Sequence, residues 1–351
     1  ISKRENLHTI PLLSIHGIRL SEISSTSSKI ELIENLPGID IRQRGSNGVQ
    51  GDVQYRGGSA EQCMILLNLI PMNDVQTGHH NLNLPIPDIA IAKANVYSAT
   101  ESFSNFQGAY NGIISFSSIQ TENNQVSFHI STGSFNQLKG ELLLALKHKK
   151  TLQTIAYSQE KSDAYTFNND FNAKKFFYSF NLTSKANNIL KFEAGLVEKN
   201  FGAHSFYSNK FPTQFESIKN GFASLSLQTS GRISVQPIIF WKKSYDRFEL
   251  FRESLYEKTD NFYIWGTDTA KLANNIFYTG HNYHLSDIIG TSLSLHQNLG
   301  FGELKLGMSY TYDLINSTVL GDPINKPIIN PFAKSIFFDH SASRNTNYIF
   351  A

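Results

Sequence analysis

The stretch Glu303-Leu-Lys-Leu-Gly-Met-Ser-Tyr-Thr-Tyr312 alternates in character at every step. Leu304, Leu306, Met308, Tyr310 and Tyr312 fall on one side, and Glu303, Lys305, Ser309 and Thr311 on the other. A period of two marks a strand, because successive side chains leave a pleated backbone on opposite faces. The run is long for a soluble sheet, whose strands average about 5–6 residues, and matches the roughly 9–11 that a tilted strand needs to cross a bilayer.

The same texture recurs from residue 119 onward. Val126, Phe128 and Ile130 alternate with Ser127, His129 and Ser131. Leu138, Leu142, Leu144 and Leu146 oppose Lys139, Glu141 and Lys147. Phe176, Tyr178, Phe180 and Leu182 oppose Ser179, Asn181 and Thr183, while Leu190, Phe192 and Leu196 oppose Lys191 and Glu193. Ile233, Val235, Ile239 and Trp241 share a further face. Short turns are expected near 148–150, 185–188, 230–231 and 298–302, and long polar connections near 158–174, 199–214, 247–286 and 316–334. Residues 272–284 then belong to a loop, and the first hairpin, around 134–136, is a short connection on the long-loop side. Short turns at one end and long loops at the other describe a membrane β-barrel. About ten strands are begun, and the last runs to the end of the sequence.

Bulk composition is compatible with that reading. Hydrophobic residues make up 40% and mean hydropathy is −0.26. No segment approaches the roughly 18–20 apolar residues of a membrane helix, but alternating strands keep the average polar even in a barrel. The net charge of +2 and pI of about 8.4 do not suggest a nucleic-acid partner. Of 26 Phe, 15 Tyr and 2 Trp, only Tyr55, Tyr97, Phe103, Phe106, Tyr110 and Phe116 precede residue 119. That break predicts two regions with different physical roles. Cys63, the single cysteine, excludes an internal disulfide and reads as a small buried residue beside Met64-Ile-Leu-Leu67.

The first region centres on residues 36–84. A strand is expected at 10–15, and a helix over 29–36, with Ile30, Ile33 and Leu36 at helical spacing behind a polar cap at 24–28. Pro37-Gly38 ends that helix. Ile39 and Ile41 begin a short strand, and Val53–Tyr55 and Met64–Leu67 read as others. Gly45, Gly48 and Gly51 lack the strand–loop–helix frame of a phosphate loop and read as a turn. No nucleophile elbow, HExxH or framed carboxylate pair occurs. His79 and His80 are adjacent on extended chain and point apart, with no third ligand spaced to join them, so no metal site is expected.

The motifs of this region, taken together, resemble those of TonB-dependent outer-membrane receptors. Leu36-Pro-Gly-Ile39 is similar to the turn that ends the family's plug helix. Arg56-Gly57 matches its Arg-Gly on a short strand, and Asn68-Leu-Ile-Pro71 stands where the family has Asp-Gly-Ile-Pro. Phe106-Gln-Gly-Ala-Tyr-Asn-Gly112 leading into Ile113-Ile-Ser-Phe116 is similar to the turn and strand that close the plug. Asp40-Ile-Arg-Gln-Arg-Gly-Ser-Asn-Gly48 with Thr77-Gly-His-His-Asn-Leu-Asn83 looks like the cobalamin-receptor branch. Two departures stand out: Asn68-Leu69 replaces Asp-Gly, and Ser98-Ala99-Thr100 replaces Arg-Gly-Pro.

The resemblance implies a mostly β fold. A small α/β plug domain over 1–118 would be followed by part of a transmembrane antiparallel barrel over 119–351. About ten strands of a barrel of about 22 would then be present, the larger number being typical of plugged transporters. A signal peptide, a coupling box and the rest of the wall would lie outside this sequence. It further implies uptake of a scarce bulky nutrient, cobalamin-like or a metal chelate, across a Gram-negative outer membrane, with no enzymatic step and no cofactor. Implied partners are TonB, outer-membrane lipid, the small-molecule nutrient and, optionally, a surface lipoprotein. The alternative is a non-coupling surface-binding or structural barrel, or a degenerate receptor fragment. The loop Asn73, Asp74, Gln76, Thr77, His79, His80 and Asn81 is the expected substrate-contacting apex. Arg42, Arg44 and Arg56 are expected to form ion pairs that seat the plug on the wall, since a charge in the lumen needs a partner.

Overall fold

A computed structural model describes residues 16–19, 33–45, 49–98, 109–259 and 261–350. The expected strand at 10–15, the cap and helix at 24–32, Gly48, Ala99-Thr100 and Phe106–Gly108 lie outside them. Within the described part, residues 33–35 form one 3-10 turn before the Pro37-Gly38 bend, where Gly38 takes a φ of +82° and its carbonyl accepts from Arg56 N at 2.7 Å.

The first region holds two small sheets. Strands β1 (His16–Arg19), β4 (Cys63–Leu67), β5 (Ile70–Pro71), β6 (Ile91–Ser98) and β7 (Gly112–Ser118) order as β1-β6-β7-β4-β5, with β4 and β7 parallel. Strands β2 (Ile39–Arg44) and β3 (Gln50–Tyr55) form a separate hairpin. Parallel pairing buries both faces, which is why Ile65, Leu66, Leu67, Ile113, Ile114 and Phe116 are all inaccessible.

The second region is one antiparallel sheet. Its long strands are β8 (Gln125–Thr132), β9 (Leu138–His148), β10 (Thr151–Ser162), β11 (Phe171–Thr183), β12 (Ile189–Gly202), β13 (Phe215–Gln228) and β14 (Ile233–Glu249). A loop carrying the small strands β15 (Glu257–Thr259), β16 (Phe262–Trp265) and β17 (Asp268–Thr269) leads to β18 (Asn282–Asn298) and β19 (Glu303–Ser317). The sheet then closes its described part with β20 (Asp322–Ile329) and β21 (Phe337–Phe350), in the order β20-β21-β19-β18-β14-β13-β12-β11-β10-β9-β8.

Turns 149–150, 184–188, 229–232 and 299–302 lie at one end, and the connections 163–170, 203–214, 250–281 and 318–336 at the other. The first three expected long connections are shorter than sequence suggested, because strand pairing continues past the apolar stretch into polar residues such as Gln159, Lys161 and Asn172. Residues 272–281 are loop as expected, but Asn282–His284 already belong to β18. β20 is an additional strand inside the expected 316–334 loop. It carries Pro323 and Pro327, which a strand tolerates when it pairs on one side alone.

The wall is inverted relative to a soluble sheet. Val126, Phe128 and Ile130 are 67%, 76% and 67% exposed, and Leu142, Phe176, Leu196, Trp241, Ile289 and Met308 are also exposed. The inward face carries Lys139, Glu141, Ser179, Asn181, Lys191, Glu193 and Lys199, all buried. Large apolar rows facing outward are costly in water and favourable in lipid, so the exposed face is the one that meets the membrane. On the inner side a single apolar cluster runs from Ile65, Leu67, Ile91 and Phe116 of the first region into Leu143, Ala145, Phe177, Phe222, Phe240 and Ile288 of the wall. The first region therefore sits against the concave side as a plug.

Candidate functional site

The apex of the plug is made by the β2–β3 hairpin and the loop 73–81, both turned toward the long-loop end of the wall. Hairpin residue Val49 packs with Phe171, Phe201, Ala203 and Ile218, which lie at that end of their strands.

The seven expected contact residues are brought together, but most of their polar atoms are already used. Asn73 Oδ1 accepts from Ile65 N and its Nδ2 donates to Cys63 O, both at 2.8 Å, so the side chain extends the sheet as a mock strand. Asn81 Oδ1 accepts from Asp74 N at 2.9 Å and its Nδ2 donates to Ala60 O at 3.0 Å. Asp74 accepts from Gln76 N, and Thr77 Oγ1 caps the short 3-10 turn Gly78–His80 by accepting from His79 N. Gln76 Nε2 reaches the wall, donating to Asp246 at 3.1 Å.

The two histidines diverge, as adjacent residues should. His79 Nδ1 donates to Asp52 Oδ1 at 2.6 Å, and the ring lies 5.6 Å from that of Tyr207. Its side chain keeps 34% of its exposure. His80 is buried, 3.7 Å from Glu216. Burial works against its protonation, but Glu216, Asp246 and Asp74 outweigh that and push its pKa up to about 9.

Arg42, Arg44 and Arg56 do not seat the plug on the wall. Arg44 pairs at 2.6 Å with Asp52, inside the plug, where β2 and β3 place them nearly opposite. Burial pushes the Asp52 pKa up, and the bonds from His79 and Arg44 more than reverse it, so the carboxylate stays ionised. Arg42 is exposed on β2, and Arg56 lies over its neighbour Tyr55 at 5.1 Å. Arg44 and Asp52 satisfy each other within the β2–β3 hairpin, leaving the seating to other groups.

Those groups are inward-facing wall lysines and one plug aspartate. Asp88, on a 3-10 turn after Pro87, sits 2.9 Å from Lys139 and 3.0 Å from Lys175. Burial would raise its pKa, but the two ammoniums hold it far below the usual carboxylate range. Ile89 N donates to Glu141 at 3.2 Å. Lys199 donates to Val49 O and Asn83 Oδ1, each at 2.7 Å, and Lys242 to Pro71 O and Asn73 O at 2.7 and 3.0 Å. An ammonium is a compact three-donor group, well suited to carbonyls of irregular backbone. The sequence did carry a signal: Lys139 and Glu141 stand on the polar face of an apolar-outward strand, a face that in a plugged barrel must be buried.

Tyr207, from the connection 203–214, was not foreseen. Its hydroxyl accepts from Gln50 Nε2 at 2.5 Å and donates to Glu216, so an outer loop, the plug and the wall meet at one oxygen. Arg44 lies 5.8 Å from its ring centroid.

Glu249, Glu253 and His281 form a separate cluster in the outer loops with ligand-type atoms near one another. Arg247 bonds both carboxylates, and Tyr263 and Tyr278 lie 3.0 and 2.7 Å from the two His281 ring nitrogens. Every member is thus already partnered within the protein. Burial and the nearby Arg247 and Lys258 cations push the His281 pKa down to about 3, so the ring is neutral.

A plug packed on the inner side of a long antiparallel wall whose outer face is apolar is the architecture of a plugged β-barrel. No family model matches the chain. Over 169 residues it is 24% identical to the vitamin B12 transporter BtuB of Vibrio vulnificus strain YJ016, which is 47% of this chain and 27% of that protein. Among solved structures it is similar to the copper transporter OprC (TM-score 0.67, 12% identity, 92% of this chain and 48% of that one). It is also similar to the unliganded ferric citrate transporter FecA (0.67, 11%, 86% and 47%) and to a mutant of the ferric enterobactin receptor PfeA of Pseudomonas aeruginosa (0.66, 14%, 97% and 54%). The chain spans about half the length of these solved receptors. In fold, and over 169 residues in sequence, the chain is thus similar to TonB-dependent receptors of the Gram-negative outer membrane.

Proposed function

We propose that the chain is the plug, residues 1–118, and part of the wall, residues 119–351, of an active importer for a scarce bulky nutrient. The proteins it resembles point to a cobalamin-like molecule or a metal chelate. TonB supplies the energy and no bond chemistry is performed. The observation that carries this reading is the seating of the plug. Beside an apolar cluster shared with the wall, it is held by lysine and aspartate contacts that can be exchanged, and none of its described strands pairs with the wall sheet. Ligand binding at the apex would bias one of two plug positions, a population shift.

Within the loop, Asp74, Gln76, Thr77 and His79 are partly exposed and are assigned ligand contact, whereas Asn73, also partly exposed, has its side-chain amide used by the β4 backbone. Asn73, His80 and Asn81 are assigned to holding the loop in shape. Asp52 fixes the tautomer of His79, so that its Nε2 is presented outward.

The test is ligand binding by the natural-length protein in bilayers, with cobalamin and a ferric chelate as probes. Binding of one of them that weakens by about tenfold on His79→Ala, with Asn123→Ala unchanged, is the expected result. Binding of neither probe would remove the nutrient class from the proposal.

The alternative, a barrel whose plug no longer couples, draws on one observation. Asn68 and Leu69 both take positive φ, +49° and +72°, where the family resemblance has a glycine. Transport that continues in the natural-length protein without TonB would favour it.

A further inference from the structure

The short-turn end of the wall gathers positive charge on three neighbouring hairpins. The turn between β9 and β10 carries Lys149 and Lys150, that between β11 and β12 carries Lys185, and that between β13 and β14 carries Arg232. All four are exposed, and none forms an ion pair among the described residues. No Asp or Glu occurs in 142–159, 171–192 or 217–245, the hairpins from which these turns project. At the opposite end the connections hold Asp163, Asp170, Glu253, Glu257 and Asp268, so charge is sorted by end rather than spread over the wall.

The turns are tied to one another, which holds the cations in a fixed group. Thr183 N, where β11 ends, donates to Lys150 O at 2.8 Å. Ser230 N donates to Asn188 Oδ1 at 2.9 Å, and Ser230 Oγ donates to Ala186 O. The middle turn thus bridges both of its neighbours. Lys149 takes a φ of +50°, a conformation that favours Gly or Asn, so the turn keeps a cation at a backbone cost. The exposed apolar rows end just inside this group, at Leu146, Leu182, Leu190 and Ile233. From Leu146 to Lys149 is roughly 10 Å of strand, which barrel tilt reduces to a depth of about 7–8 Å. A headgroup layer is about 5–7 Å thick. The four cations therefore stand at the level of the phosphates in the leaflet on the short-turn side.

Fixed cations at that level, with no acid beside them, are complementary to a lipid of net negative charge. Short turns of outer-membrane barrels face the periplasm, so the leaflet they meet is the inner one. We propose that this end of the wall holds an anionic phospholipid of the inner leaflet. Its phosphate sits against Lys149, Lys150 and Lys185, with Arg232 flanking, and its acyl chains run along Leu146, Leu182 and Leu190. The lysine stems lie on apolar surface while their ammoniums reach the phosphate. A zwitterionic headgroup brings its own cation and leaves the field of the turns uncompensated, whereas a net anion compensates it. The contact lies at the end of the wall away from the apex and uses neither nutrient nor TonB, so it stands or falls separately from the import reading.

The experiment is native mass spectrometry of the natural-length protein, delipidated in detergent, with four probes. These are phosphatidylglycerol, phosphatidylethanolamine with the same acyl chains, free glycerol phosphate and a soluble acidic peptidoglycan fragment. Phosphatidylglycerol retained about tenfold more tightly than phosphatidylethanolamine is the expected result. Lys149→Gln, Lys150→Gln, Lys185→Gln and Arg232→Gln combined should abolish that preference, and Lys149→Arg, Lys150→Arg and Lys185→Arg combined should keep it. If the Gln set does not fold, the two lipids on unmodified protein and the Arg set decide the matter. Equal retention of both lipids would overturn the proposal, as would an unchanged preference in a folded Gln set. Displacement of the lipid by millimolar glycerol phosphate would assign the cations to a free phosphate, and displacement by the peptidoglycan fragment to an acidic polymer. Either outcome contradicts the proposal.

Discussion

Asp88 Oδ2 of the plug and Lys139 Nζ of the wall lie 2.9 Å apart, in a buried site that Lys175 enters from 3.0 Å on the other carboxylate oxygen. One acid thus holds two wall strands, β9 and β11, to the plug. Asp88→Asn would take the shared carboxylate from the buried Lys139, leaving it Glu141 at 3.7 Å and Glu160 at 4.0 Å, and from the partly buried Lys175. Removing one partner of a buried pair costs about 3–5 kcal/mol. The expected outcome is release of the plug at lower denaturant, read by protease cleavage of the plug, while the wall stays folded by heat-modifiable gel mobility. Adding Lys175→Met to Asp88→Asn should recover part of the loss.

His80 predicts a pH dependence with a definite sign. Its folded pKa of about 9 lies above the ordinary 6.5, so its contribution is fully present below about 6.5 and is lost as pH rises through 9. The groups facing it are Glu216 and Asp246 on the wall and Asp74 on its own loop, with Tyr207 bonded to Glu216 and Gln76 to Asp246. Hydrogen exchange of residues 73–81 should accelerate between pH 7 and 9.5 beyond the intrinsic rise. His80→Gln should remove that extra pH dependence and also cost about 2 kcal/mol of apex protection at pH 6.

Gly195 on β12 lies directly against the plug. A Cβ there would stand 2.1 Å from Pro85 O, which is backbone and cannot rotate away. Gly195→Val should therefore displace the plug, with fast exchange across residues 84–90 and an unaltered wall. The same change at Gly140, where nothing lies within 4 Å of a Cβ, should leave exchange unchanged.

Asn68 and Leu69 form the turn between β4 and β5 with φ of +49° and +72°. Asn tolerates this region and Leu does so at a cost of roughly 1 kcal/mol. Leu69 is also 9% exposed and packs in the plug core, worth about 2 kcal/mol when buried. Leu69→Gly should thus destabilise the plug by about 1 kcal/mol, the lost packing exceeding the relieved backbone. Asn68→Ala should cost more. It removes bonds to Ser118 N at 2.9 Å and to the buried Glu193 at 2.6 Å that tie turn, sheet and wall together.

The wall was legible because one face of each strand had to be apolar and period two cannot be mistaken over ten residues. The outer ends were read too short, since polar strand residues above the membrane look like loop; β10 running on to Ser162 is the instance. β20 was missed because Pro323 and Pro327 suggest a loop unless the strand is known to sit at an edge. At the apex, the family resemblance pointed to the loop 73–81 but not to the roles inside it. Asn73 and Asn81 look like donors for a ligand, yet they serve the plug's own backbone, a fact set by contacts such as Asn73 to Ile65 N. Seating was assigned to arginines for their charge, whereas the partners depend on which strands face the plug. Lys199 reaches Val49 across 150 positions of sequence, a relation no local pattern encodes.

In this arrangement β12 shows lipid on one face and the plug on the other. Nitroxide labels placed singly from Leu190 to Lys199 in the natural-length protein, reconstituted in bilayers, test it directly. The native Cys63 is buried, with its thiol pushed up to about 12, and stays unlabelled. The account predicts high oxygen accessibility at 190, 192, 194, 196 and 198, and protection from both oxygen and a water-soluble nickel chelate at 191, 193, 195, 197 and 199. A flat profile, or nickel chelate reaching Phe192 and Leu196, would contradict it.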